Sequence, residues 1–140
     1  MMDATSNTRE RIAPMKKSGL LHPELLAAIA ELGHTDEFVV CDGGFPIPDG
    51  LPRIDLAYKA GMPAFLDVLE AIMAEVVAEG AVIAEEASAG VAGSIERLVG
   101  DTERIPHDEL KDRTYGAKFV VRTGEFTPYS NVIVVCGVPF

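Results

Sequence analysis

Apolar positions along the chain follow two spacings, and the change from one to the other marks out the elements. Leu25, Leu26, Ile29 and Leu32 recur at helical spacing and predict a helix with one apolar face. Pro23 suits its first position and Glu24 the positive end of its dipole. Gly33 follows where a left-handed residue closes a helix. Phe38 to Cys41 is an unbroken apolar run, the pattern of a strand covered on both faces. Arg53 to Tyr58 reads as a short strand, and Pro63 to Ala74 as a helix burying Phe65, Leu66, Leu69 and Ile72. Glu75 to Ala84 reads as a strand whose buried part is Ala81 to Ala84. A helix is expected from about Val91 to Val99, and Arg104-Ile105 is a short strand or a link. Pro106 then opens a helix with Asp108 and Glu109 in its first turn. Phe119 to Val121 and Val132 to Cys136 are the last strands. Strands alternating with helices predict a single α/β domain with a largely parallel sheet.

Composition narrows the classes. A chain of 140 residues makes about one domain and needs no disulfide or metal to build a core. The 22 acidic and 12 basic residues give a formal charge of −10. That argues against a nucleic-acid surface and against attraction to an anionic membrane. Cys41 and Cys136 lie in apolar runs and read as buried thiols, and without a cysteine framework or secretory pattern the expectation is a cytosolic protein. Residues 1–14 are polar and lack apolar periodicity, so the expectation is a flexible extension ahead of a domain over 15–140.

Candidate chemistry gathers around Gly33 to Asp42. His34 follows the expected helix end, and Asp42 stands at the carboxyl end of the strand, where open α/β sheets bind ligands. The Gly- and Pro-rich loop Gly43 to Gly50 reads either as a crossover or as the rim of a site. It does not have the G-x-G-x-x-G spacing of a phosphate loop. Asp55 either pairs with Arg53 or faces a site. Glu85 and Glu86 point to opposite faces of an extended chain and make a poor dyad. His107 at a helix start reads as a surface residue or as a neutral hydrogen-bonding one. Tyr129-Ser130-Asn131 carries the donors and acceptors a neutral polyol needs, and equally those of a turn. There is no metal-ligand spacing and no G-x-S-x-G elbow.

Several separated motifs in order resemble the D-ribose pyranase family of sugar mutarotases, which is related to the L-fucose mutarotases. They are Gly33-His34-Thr35-Asp36, the run Val39 to Pro48, Arg53-Ile54-Asp55, Ile83-Ala84-Glu85-Glu86, and Arg122-Thr123-Gly124-Glu125 through Tyr129-Ser130-Asn131. The resemblance covers about residues 15–140. It implies a three-layer α/β sandwich with a mostly parallel sheet, and a cofactor-free, metal-free isomerase that interconverts the pyranose and furanose forms of ribose. His34 matches the catalytic acid, and Asp42, His107, Tyr129, Ser130 and Asn131 match substrate-binding positions. A ring-shaped homo-oligomer, typically a decamer, is also implied. The chain departs from the family pattern in its first 14 residues, in the Ala- and Gly-rich stretch Ala87 to Gly93, and at Gly44-Phe45.

Three alternatives give different chemistry. A fucose-type mutarotase changes only the sugar. A non-catalytic sugar-binding module would use Tyr129-Ser130-Asn131 but gives His34 no task. A phospho-histidine carrier at His34 meets repulsion from Asp36 and Glu37.

Overall fold

The computed structural model describes residues 15–140, so the expected extension over residues 1–14 lies outside the described residues. Helix α1 (Pro23–Ala30) begins where Pro23 predicts. Its N-cap is His22, whose Nδ1 accepts the Leu25 N–H at 3.2 Å. The helix stops before Gly33, and the left-handed residue is Thr35 at φ 70°, not Gly33. The cause is a pair of bonds that pin the loop. Asp36 Oδ2 accepts the Gly33 N–H at 2.8 Å, and Thr35 N–H donates to the Cys136 carbonyl at 2.9 Å.

Strand β1 (Glu37–Cys41) is wholly buried from Phe38 onward. Strand β2 (Arg53–Asp55) is shorter than expected, and its Asp55 accepts from Arg122 at 2.7 Å rather than pairing with Arg53. Helix α2 (Phe65–Met73) starts two residues beyond Pro63, where the Phe65 N–H donates to Glu125 Oε1 at 3.0 Å. Val68 joins Phe65, Leu69 and Ile72 in the core, while Leu66 faces outward. Strand β3 (Ala78–Ala84) leads to helix α3 (Ala89–Val99). That helix begins ahead of Val91 because the Ser88 hydroxyl caps it, accepting the Val91 N–H at 3.2 Å. Then come strand β4 (Glu103–Ile105), helix α4 (His107–Arg113), strand β5 (Val120–Arg122) and strand β6 (Val132–Cys136).

The six strands form one sheet in the order β2-β5-β1-β6-β3-β4. β2, β5 and β1 are mutually parallel, as are β3 and β4, and β6 runs antiparallel to both β1 and β3. Five strands therefore point one way, and the reversed strand sits near the middle. Leu25, Phe65, Leu69, Ile72 and Ile95 from α1, α2 and α3 pack on one face of the sheet. Leu110 from α4 and Phe45 from the Gly-Pro loop pack on the other. The result is the three-layer sandwich. The reversal of β6 brings its amino end, preceded by Tyr129-Ser130-Asn131, to the edge where β1, β5 and β4 end.

Candidate active site

A cavity of about 430 Å³ opens at that edge, lined by Asp42, Phe45, His107, Glu125, Phe126 and Tyr129 among others. Its volume is in the range that admits a small organic ligand. Asp42 follows β1 directly. Its backbone N–H donates to Asn131 Oδ1 at 2.9 Å. Its carboxylate accepts from Asn131 Nδ2 at 3.3 Å and from the Gly44 N–H at 3.1 Å. Burial pushes the Asp42 carboxyl above its ordinary range, and the bonds from Gly44 and Asn131 with the nearby His107 offset that only in part.

His107 is the first residue of α4, and its N–H donates to Glu86 Oε1 at 2.9 Å. Glu86 thereby anchors the helix that carries His107. The imidazole stands edge-on between Phe45 and Tyr129, at centroid distances of 5.8 and 5.1 Å. Among the described residues, its Nδ1 is the buried side-chain nitrogen or oxygen without a hydrogen bond. Buried polar atoms are normally paired, so this unpartnered nitrogen is an exception beside the pocket.

The far wall is a loop held by its own carboxylate. Glu125 Oε1 accepts the Phe65 N–H, and Oε2 accepts the Thr127 hydroxyl at 2.7 Å and the Thr127 N–H at 3.2 Å. Burial pushes Glu125 up, but these bonds outweigh it and hold the carboxyl below its ordinary range. The Gly43 N–H donates to the Glu125 carbonyl at 2.8 Å, tying this wall to the loop after Asp42. Tyr129 adopts a left-handed conformation with φ 61°, an uncommon one for a residue with a Cβ.

The structure brings together Asp42, His107, Tyr129 and, behind Asp42, the fully buried Asn131. Ser130 is buried and lines a neighbouring cavity between the starts of α2 and α3. His34 lies at the other end of the sheet. It precedes β1 whereas Asp42 follows it, and the five intervening strand residues span roughly 17 Å at about 3.3 Å each. There His34 is half exposed, and its Nε2 lies 2.7 Å from Glu79 Oε1.

Nothing local in the sequence marks the contacts of Glu125 with Phe65 and of Glu79 with His34, which join residues 60 and 45 apart. Neither cysteine lines the pocket, and burial raises the Cys41 thiol far above its ordinary value and Cys136 to about 11. Among the described residues no three His, Cys, Asp or Glu side chains converge as a metal site. Likewise no helix there is long and apolar enough to cross a membrane.

A three-layer α/β domain with a carboxylate and an imidazole lining one pocket at the strand ends has the layout of a small-molecule-binding α/β protein. More narrowly, the chain belongs to the RbsD / FucU transport protein family, which it matches over residues 15–139. It is 54% identical over 127 residues to the D-ribose pyranase of Cutibacterium acnes, with 90% of this chain and all of that protein covered. With D-ribose pyranase 2 of Streptomyces griseus the identity is 52% over 129 residues, at the same coverage. Among solved structures, Bacillus subtilis RbsD complexed with D-ribose superposes with a TM-score of 0.85 at 44% identity, covering 90% of this chain and 100% of that one. FucU from Bifidobacterium longum gives 0.72 at 26% identity, covering 86% and 97%.

Proposed function

We propose that this protein is a D-ribose pyranase, a cytoplasmic isomerase acting as a homo-oligomer of the decameric ring type. The observation that carries the reading is that Asp42 and His107, whose Nδ1 has no hydrogen-bond partner, line one pocket. It is supported by the high identity to D-ribose pyranases over their whole length.

The chemistry is proton transfer. A base removes the proton of the anomeric hydroxyl, the C1=O bond forms, the bond from C1 to the ring oxygen breaks, and an acid protonates that oxygen. Rotation and closure through a different hydroxyl give the other ring size, and closure on the other face of C1 gives the other anomer. Every proton taken is returned, so neither a redox cofactor nor a metal is needed. His34 is the acid, because an imidazole gives and takes protons near neutral pH. Asp42 and His107 hold sugar hydroxyls, as acceptors. Tyr129 walls the ring and Asn131 holds Asp42 in place.

His34 cannot reach the pocket of its own chain across the length of β1. The reading therefore places His34 of a second copy at the mouth of the pocket. Exposed Tyr58, Met62 and Phe126 supply apolar surface for such an interface. The residues over 15–140 make up the mutarotase domain.

The test is magnetisation exchange between the pyranose and furanose signals of D-ribose, with L-fucose as comparison. Wild-type protein accelerates ribose exchange and His34→Ala does not, while circular dichroism is unchanged. A folded His34→Ala protein exchanging ribose at the wild-type rate would overturn the assignment. Bound ribose without accelerated exchange would leave a sugar-binding module.

A further inference from the structure

The geometry points to Glu79 as the positioning residue of His34: it fixes the imidazole as the Nε2–H tautomer and so makes Nδ1 the nitrogen that exchanges protons with the sugar. This rests on the reading of His34 as the catalytic acid. The contact joins residues 45 apart in sequence, and two backbone irregularities converge to make it. In the β3–β6 ladder Ala78 pairs with Cys136 and Gly80 with Val135, so Glu79 is the extra residue of a bulge. Bulges turn a side chain out of its strand's regular alternation. Across from it, Thr35 takes its left-handed conformation while its N–H is held by the Cys136 carbonyl. A non-glycine residue keeps such a conformation only where its surroundings impose it, and these features gather at functional sites. The two devices therefore meet on Cys136, one turning Glu79 and the other turning His34, so that the side chains touch at 2.7 Å.

The chemistry of the contact decides the tautomer. An ionised carboxylate only accepts, so Nε2 must carry the hydrogen whether the ring is neutral or cationic. The Nε2–H bond to Glu79 persists through the reaction, and only Nδ1 changes occupancy. Nδ1–H gives its proton to the ring oxygen as the C1–O bond breaks and takes one back on closure. Both side chains are about half exposed, so the contact adds little to stability. Its consequence is the orientation of one ring.

The experiment uses the full chain. Long-range proton–nitrogen spectra of protein labelled at histidine, assigned through His34→Ala, report the tautomer. Ribose exchange reports kcat and KM. In wild type the neutral His34 ring is expected as Nε2–H. In Glu79→Gln, whose amide also donates, the ring becomes a mixture of tautomers. There kcat falls roughly tenfold, a part of the about 10²–10⁴ that a placed acid–base group contributes, while KM and melting temperature hold. Adding Glu79→Gln to His34→Ala lowers the rate no further. If His34→Ala is inactive while Glu79→Gln keeps either the wild-type kcat or the wild-type tautomer, the role of Glu79 is overturned. If His34→Ala itself exchanges ribose normally, the reading of His34 fails first.

Discussion

Asn131 grips Asp42 from two sides, accepting its backbone N–H at 2.9 Å and donating to its carboxylate at 3.3 Å. The residues are 89 positions apart and lie on adjacent antiparallel strand ends. One amide thus sets both where the chain leaves β1 and which way the carboxylate faces. Asn131→Ala would leave the partly buried Asp42 N–H unpaired, a loss of about 1–3 kcal/mol at most. Urea unfolding should show that loss, and the KM for ribose should rise more than kcat falls.

Asp42 bears on stability with a definite sign. Its carboxyl is raised above the ordinary range, chiefly by burial, so the folded protein holds that proton more tightly than the unfolded chain does. Stability from this group is greatest at low pH and is lost as pH rises through the folded value. Above that value the buried charge is a standing cost. The melting temperature of Asp42→Asn relative to wild type should therefore climb as pH goes from about 4 to about 7. Calorimetry across that window checks it, and activity should fall at every pH.

Gly124 is a packing requirement rather than a hinge. Its N–H donates to the Pro63 carbonyl at 2.9 Å, and its own carbonyl accepts the Gly61 N–H at 2.7 Å. A Cβ there would overlap the Met62 carbonyl. Gly124→Ala should cost about 1–3 kcal/mol, as overpacking does. It should also move Glu125 and with it the pocket wall. The expected result is a lower unfolding midpoint together with weaker ribose binding, measured by calorimetric titration.

A pocket completed by a second copy predicts complementation. His34→Ala and His107→Ala chains are each expected to be slow when assembled alone. Unfolded together and reassembled in equal amounts, random mixing around a symmetric ring restores about a quarter of the sites. Ribose exchange by the mixture at no more than the average of the two pure variants would sink the shared-site arrangement.

Much of this fold was legible in the sequence because burial on both faces leaves an unambiguous trace. Val132 to Cys136 and Phe38 to Cys41 are read directly as apolar runs, and Pro23 marks the start of α1. What pattern could not supply is long-range. The reversed direction of β6 depends on its neighbours, and a strand looks the same in either direction. Gly33 is the residue most suited to a left-handed turn, yet Thr35 takes that conformation because hydrogen bonds to Asp36 and Cys136 outweigh intrinsic preference. Asp42, His107 and Tyr129 line one pocket although they lie far apart in sequence. That His34 and Asp42 stand at opposite ends of β1 was legible from the run between them, but the contact of His34 with Glu79, 45 residues away, had no local signal.

The central reversed strand gives the protein a built-in ruler. The amino end of β6 carries the residues that hold Asp42, and its carboxyl end carries the carbonyl that sets Thr35 beside His34. In the proposed assembly those two ends serve different pockets, one belonging to this chain and one to its neighbour. A single five-residue strand would then fix the interval between successive catalytic centres. One added or deleted residue in β6 would put two pockets out of alignment at once, which ties the length of that strand to the geometry of the whole ring.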